Sequence, residues 1–244
     1  MKKKVVIFGA TSGLGFSFAK IFIEKNYQVI SISSSKNGNL KSFKNYIHYK
    51  CDLSIDKDVN KVIKYLIANK SSIELFIFCS ARLTVGSFCN IPEKKFDDDI
   101  KINALSFIKI IRCYLNINKK NFKLICILSN LSLSGAPNLS SYCVSKAILK
   151  NFSESLNLEL KNSKILMVYP GSLSTNLNQK AEIFGKNISF DSKLKKKNTD
   201  DVAKSILYNF YNNKKYFFSL TTKIIYLLKF ISVTFFDFLL KRKY

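Results

Sequence analysis

The chain of 244 residues has no tryptophan, one histidine, three arginines, three prolines and eight glycines. Each shortage argues against a class of function or architecture. His48 stands alone, and the six cysteines (Cys51, Cys79, Cys89, Cys113, Cys126 and Cys143) include no C-x-x-C pair, so no metal site is expected. Cys51, Cys79 and Cys126 lie in apolar strand-like runs, where a free thiol is a small buried hydrophobe; a reducing, cytoplasmic setting fits them. Lysine and arginine outnumber aspartate and glutamate 40 to 16, a net charge of +24. Yet Arg82, Arg112 and Arg242 are the only arginines, and nucleic-acid recognition favours the bidentate guanidinium. The lysine excess, beside abundant Asn, Ile and Phe, reads as the usage of an A+T-rich genome, and no nucleic-acid partner is expected. Only a tight, salt-steep affinity for nucleic acid would make the charge itself the function. Proline and glycine are too few for a linker, and no composition break divides the chain before residue 180. Residues 1–4 lead straight into Val5-Val6-Ile7-Phe8, too short an apolar run for a secretory signal.

What the chain does have is alternation. Hydrophobic residues make up 47% and charged residues 23%, a balance suited to one large α/β domain. Apolar runs predict strands over 5–9, 28–33, 46–51, 73–79, 122–129, 165–169 and 216–220. Between them, periodicity predicts helices over 14–25, 55–69, 93–116, 140–160 and 199–211. Strands buried on both faces and joined through helices imply a doubly wound parallel sheet with helices on both faces, a Rossmann-like α/β fold. Residues 1–215 are read as this single domain, and 216–244 as an apolar, basic extension of edge strand plus amphipathic helix. Residues 179–198 break the rhythm and end in Lys193, Lys195, Lys196 and Lys197, as either a lid or a solvated loop.

Two constellations carry chemistry. Gly9-Ala10-Thr11-Ser12-Gly13-Leu14-Gly15 follows the first strand and opens a helix, where amides and the helix dipole can receive a pyrophosphate. Gly9, Thr11, Ser12, Gly13, Leu14 and Gly15 are the expected contacts. No acidic residue ends the second strand to hold a bare ribose; Ser33, Ser34 and Lys36 suit a 2′-phosphate, which favours NADP(H) over NAD(H). Asp52, with Leu53, stands where a carboxylate could accept from an adenine amino group or cap the next helix, and Ser80 follows the fourth strand. In the second constellation, Tyr142 and Lys146 are four apart and share a helix face. An ammonium and a cationic nicotinamide beside a phenol are expected to lower its pKa and let Tyr142 exchange a proton. Ser129 ends a strand, and Asn103 sits mid-helix, a costly place for Asn unless its side chain is engaged.

Taken together, these residues resemble the short-chain dehydrogenase/reductase family over residues 5–201. Gly9, Gly13 and Gly15 match its glycine turn, Asp52 its adenine-side Asp, Asn103 its helical Asn, and Ser129, Tyr142 and Lys146 its Ser and Y-x-x-x-K. Pro170-Gly171-Ser172-Leu173-Ser174-Thr175 resembles its P-G-x-x-x-T. The resemblance implies hydride transfer between a nicotinamide and a carbonyl or secondary alcohol. Tyr142 would be the proton donor or acceptor, Lys146 its partner and the ribose ligand, Ser129 the substrate-oxygen ligand and Asn103 the holder of a relay water. Pro170, Gly171 and Thr175 would lie at the nicotinamide, and the chain would assemble as a homo-oligomer through the helices of 93–116 and 140–160. Phe8 replaces the family's Thr, and Phe78-Cys79-Ser80-Ala81-Arg82 replaces its N-N-A-G. That second departure keeps open an alternative, a non-catalytic dinucleotide sensor or scaffold.

Over 216–244, Ser219, Thr222, Lys223, Lys229, Asp237 and Lys241 share one helical side opposite a broad apolar arc. The charges argue against a spanning helix. Three occupants compete for the arc: a membrane interface met through 222–244, a second subunit, or an apolar substrate under a lid. The first biases the expected substrate toward a hydrophobic or lipid-like carbonyl or alcohol, and the location toward the inner face of a membrane.

Overall fold

The computed structural model describes residues 2–35, 40–118, 121–185 and 196–231. Among them the strands are β1 (Lys4–Phe8), β2 (Gln28–Ser33), β3 (Tyr46–Lys50), β4 (Ile73–Phe78), β5 (Thr84–Gly86), β6 (Lys123–Ile127), β7 (Lys164–Tyr169), β8 (Glu182–Phe184) and β9 (Tyr216–Phe218). The helices are α1 (Gly13–Glu24), α2 (Asp56–Ala68), α3 (Glu93–Ile100), α4 (Ser106–Leu115), α5 (Ser140–Glu159), α6 (Thr199–Tyr211) and α7 (Leu220–Ile231). Seven strands form one parallel sheet in the order β3-β2-β1-β4-β6-β7-β9. The chain winds outward from β1 to β3, then returns to place β4 on β1's other side. That reversal opens a crevice at the strands' carboxyl ends.

Strand residues alternate between two cores. Val6, Phe8, Phe76, Phe78 and Cys126 pack with residues of α2, α4 and α5, among them Val59, Phe107 and Leu149. Val5, Ile7, Ile77 and Ile125 pack with residues of α1 and α6, among them Phe18, Phe22 and Ile206. The period of two thus covers both faces of the sheet with helices, as the doubly wound reading requires. Phe8, the family's missing hydroxyl position, is buried edge-on to Phe107 at 5.2 Å, and Phe107 stacks on Phe78 at 4.2 Å. An aromatic cluster therefore stands where the family pattern has a hydroxyl.

Several predicted strands overrun their ladders. Gly9, Cys51, Cys79 and Leu128 lie just past β1, β3, β4 and β6, and each still donates one hydrogen bond to a neighbouring strand's carbonyl, at 2.8 to 2.9 Å. These residues leave the strands to form the crevice rim. The helix predicted over 93–116 is α3 and α4 joined by a π-helical turn, Lys101–Leu105, that contains Asn103. A small sheet of β5 and β8 was not anticipated; it ties the chain after β4 to the stretch after β7. Of the irregular 179–198, residues 186–195 lie outside the described residues, as do Lys36 and 232–244.

Phe107→Ala should cost about 3–5 kcal/mol, because it removes the ring joining two strands to a helix. Urea unfolding checks this; a loss below about 1 kcal/mol would mean that the cluster is not cohesive.

Candidate active site

A cavity of about 610 Å³ follows the carboxyl ends of β1, β2, β4, β6 and β7. Its first wall is the glycine turn. Gly13 has φ +54°, and a Cβ there would stand 2.9 Å from the Thr175 methyl. A Cβ on Gly15 would collide with the Gly9 carbonyl, so glycine is what lets α1 start directly against the turn. Ser12 precedes α1 in extended conformation, and its hydroxyl makes no cap hydrogen bond. Gly9, Thr11, Ser12, Gly13, Leu14 and Gly15 all line the cavity at the start of α1, where a helix leaves its first-turn amides without intrahelical acceptors.

The rim beyond β2 also lines it, with Ser33, Ser34 and Ser35. Thr11 Oγ1 lies 3.3 Å from Ser33 Oγ. The lone histidine supports this rim: His48 Nδ1 is 3.1 Å from Ser31 Oγ and Nε2 3.0 Å from the Ser35 carbonyl. Burial lowers the His48 pKa. Asp52 and Leu53 line the cavity after β3. Asp52 Oδ1 accepts from the Ser54 amide at 2.9 Å and its hydroxyl at 2.7 Å, bracing the turn ahead of α2. The helix-cap alternative for Asp52 is not realised, since the residue before α2 is Ile55. Ser80, Pro170, Gly171 and Thr175 line the cavity as well.

Ser129, Tyr142 and Lys146 face the same cavity. Lys146 is 2% exposed and donates to the Ile127 carbonyl at the end of β6 at 3.1 Å. Burial pulls its pKa down to about 8, against the nearby Cys126 and Cys79 thiols, so the amine is charged at neutral pH. Its Nζ lies 5.8 Å from the Tyr142 ring centroid. The lysine by itself does not lower the phenol. Burial pushes Tyr142 up to about 12, with hydrogen bonding from Ser129 pulling the other way. Desolvation outweighs the Ser129 hydrogen bond, and Tyr142 is a phenol, not a phenolate, at neutral pH. Ser129 Oγ also accepts from the Leu131 amide at 3.2 Å.

Asn103 lies in the π-helical turn between α3 and α4. It is fully buried and is not part of the cavity wall. Its Oδ1 accepts from the Arg82 amide at 2.7 Å, and its Nδ2 donates to the Arg82 carbonyl at 2.9 Å and to Ser145 Oγ at 3.0 Å. These bonds tie the Arg82 backbone to α5 through the Asn103 side chain. Sequence reasoning missed Arg82 and Asp99, whose guanidinium Nε and carboxylate Oδ1 are 2.7 Å apart. Ile225, in the apolar arc of 216–244, lines the cavity from α7. Thr222 anchors α7 by donating to Asn130 Oδ1 at 2.5 Å, and Lys229 Nζ donates to the Leu133 carbonyl. Among the described residues no group of three or more His, Cys, Asp or Glu could hold a metal ion.

A parallel α/β sheet with a glycine turn, a serine rim and a phenol–amine pair around one switch-point crevice has the layout of a dinucleotide-binding protein. A family model described as short chain dehydrogenase matches residues 3–184. The 3-oxoacyl-(acyl-carrier-protein) reductase of Buchnera aphidicola is 27% identical over 188 residues, covering 73% of this chain and 77% of that protein. A short-chain dehydrogenase of Streptomyces avermitilis has a TM-score of 0.83 at 18% identity, covering 96% of this chain and 94% of that one. A Sphingobium yanoikuyae short-chain dehydrogenase in complex with NADPH has a TM-score of 0.77 at 19% identity, covering 88% and 87%. The two structures show likeness of fold. The chain belongs to the short-chain dehydrogenase/reductase family, as an NAD(P)-dependent oxidoreductase.

Gly13→Ala should weaken NADPH binding at least about tenfold, since it adds a methyl in left-handed backbone against Thr175. Fluorescence titration checks this; unchanged affinity would show that the turn does not cradle the dinucleotide.

Proposed function

We propose that the protein is an NADP(H)-dependent reductase of a hydrophobic or lipid-like carbonyl, or the corresponding alcohol dehydrogenase. The observation carrying this reading is that Ser129, Tyr142 and Lys146 line the cavity that the glycine turn also lines. Support for NADP(H) comes from the hydroxyls of Thr11, Ser33 and Ser34, with no carboxylate at the end of β2. Support for an apolar substrate comes from Leu83, Leu131, Leu177 and Ile225 along the wall. The Buchnera relative's name is that of a reductase of a carbonyl on an acyl chain.

A bound nicotinamide supplies the hydride acceptor or donor. Ser12, the first-turn amides of α1, Ser33, Ser34 and Asp52 would hold the adenosine and phosphate end, with Lys36 assigned to the same end from the sequence. Ser80, Pro170, Gly171 and Thr175 would hold the other end. In reduction, Tyr142 donates its phenolic proton to the carbonyl oxygen, and Ser129 hydrogen-bonds that oxygen as charge develops on it. The Lys146 ammonium stabilises the phenolate left behind and holds the nicotinamide ribose. In oxidation the proton returns to Tyr142. Arg82, Asn103 and Asp99 keep these groups in place.

Other parts of the expected picture join this proposal. Leu105, Val144 and Leu158 are exposed apolar residues around α4 and α5, consistent with a homo-oligomer built through those helices. Leu220, Ile224, Leu227 and Ile231 form an exposed stripe on α7, consistent with peripheral membrane contact by a cytoplasmic protein. No helix among the described residues is long and apolar enough to cross a membrane. Residues 216–244 remain assigned as an extension, with β9 completing the sheet and α7 walling the cavity.

With a responsive ketone, Tyr142→Phe should lower kcat by at least about a hundredfold and leave the NADPH Kd within about twofold. Activity retained in this variant would refute the proton-transfer assignment. Tight NADPH binding by the wild type with no turnover across sugars, acyl thioesters, steroids and long-chain ketones would favour a sensor.

A further inference from the structure

We propose that Asp99 is a positioning residue that sets Tyr142 and Lys146 against the crevice floor, through a two-rung clamp between α3, its π-helical turn and α5. The inference rests on the reading of Tyr142 as the proton donor.

The carboxylate of Asp99 is 0% exposed and fully engaged. Oδ1 accepts from Arg82 Nε at 2.7 Å, and Oδ2 accepts from Ser141 Oγ at 2.7 Å. Asn103, four residues further on, repeats the arrangement. It takes the Arg82 peptide on one side and donates to Ser145 Oγ on the other. Ser141 and Ser145 are likewise four apart, so the two rungs have the same helical spacing on both sides. Each serine immediately precedes a residue of the site: Ser141 precedes Tyr142, and Ser145 precedes Lys146. Arg82, which lines the cavity, is held by both rungs, by its side chain at Asp99 and by its backbone at Asn103. Floor, phenol and amine are therefore referenced to a single helical ladder.

A buried carboxylate between two helices is an expensive way to fill space. An apolar side chain of similar volume would pack there without the desolvation cost of two ions. Charge-assisted hydrogen bonds contribute fixed length and direction instead. The start of α5 needs such a constraint. Its N-cap residue, Leu139, offers no side-chain cap, and the Ser140 hydroxyl is buried with no hydrogen-bond partner. The Asp99–Ser141 bond thus tethers a turn that lacks its own cap, one residue before the phenol. Proton and hydride transfer to one carbonyl both fail if donor and floor drift apart, and a displacement of about 1 Å is worth about a hundredfold in rate.

The test uses full-length protein with NADPH and a ketone the wild type reduces, comparing Asp99→Asn and Ser141→Ala. Asp99→Asn should lower kcat about tenfold to a hundredfold while the NADPH Kd and the ketone KM stay within about threefold. The primary isotope effect with NADPH deuterated at the transferred position should rise, because chemistry then limits turnover. Ser141→Ala cuts one arm without unpairing Arg82, so it decides the matter if Asp99→Asn fails to fold; its kcat should fall at least about threefold with the same rise in isotope effect. Both variants within twofold of wild-type kcat, or losses matched by equal losses in NADPH binding and thermal stability, would overturn the positioning role. A wild type that reduces no ketone would sink the reductase reading and this inference together, whereas an active wild type with unaffected variants would sink this inference alone.

Discussion

A lysine ammonium drawn out of water at the end of a β-strand is the constraint on which the site depends. Lys146 reaches the Ile127 carbonyl from α5, which fixes where that helix lies along β6. Four residues earlier the same helix presents Tyr142, and the cavity both residues face is closed from the other side by the glycine turn. Burial costs the amine part of its basicity yet leaves it charged at neutral pH. Its Nζ stands 5.8 Å from the Tyr142 ring centroid. Burial holds the phenol above its ordinary pKa, so it keeps its proton at neutral pH.

Most of the architecture was legible because its signals are local. Apolar runs separated by helical periods gave the doubly wound sheet, and the glycine turn, Ser129, Tyr142 and Lys146 gave the crevice. Asn103 drew notice as an asparagine within a helix, and it proved to sit in a π-helical turn where the widened backbone accompanies a fully bonded side chain. The rest depended on contacts between distant segments. Asp97-Asp98-Asp99 carries no local sign that its last carboxylate is buried, and only the fold places Asp99 against Arg82 and Ser141. His48 looked isolated because its partners, Ser31 and Ser35, are supplied by the neighbouring strand and the rim beyond it.

The direction of one effect was also hidden from the sequence. Spacing places an amine near a phenol, and proximity of opposite charge argues for a lowered phenol pKa. How much water remains around the ring is a tertiary quantity, and in this crevice desolvation dominates. The departures from the family pattern share this logic. Phe8 and Phe78 brace the turn by ring packing with Phe107 in place of hydroxyls and amides, and the Arg82 backbone is gripped by Asn103. The scaffold keeps its site with different local means.

The most direct measurement is a pH titration of the Lys146 side chain in the full chain, followed by heteronuclear NMR with Lys146→Met as the assignment control. A midpoint near pH 8 is expected for an amine desolvated beneath the crevice. A midpoint near 10.5, the ordinary value for a lysine in water, would contradict the buried ammonium and the proton-transfer site built on it.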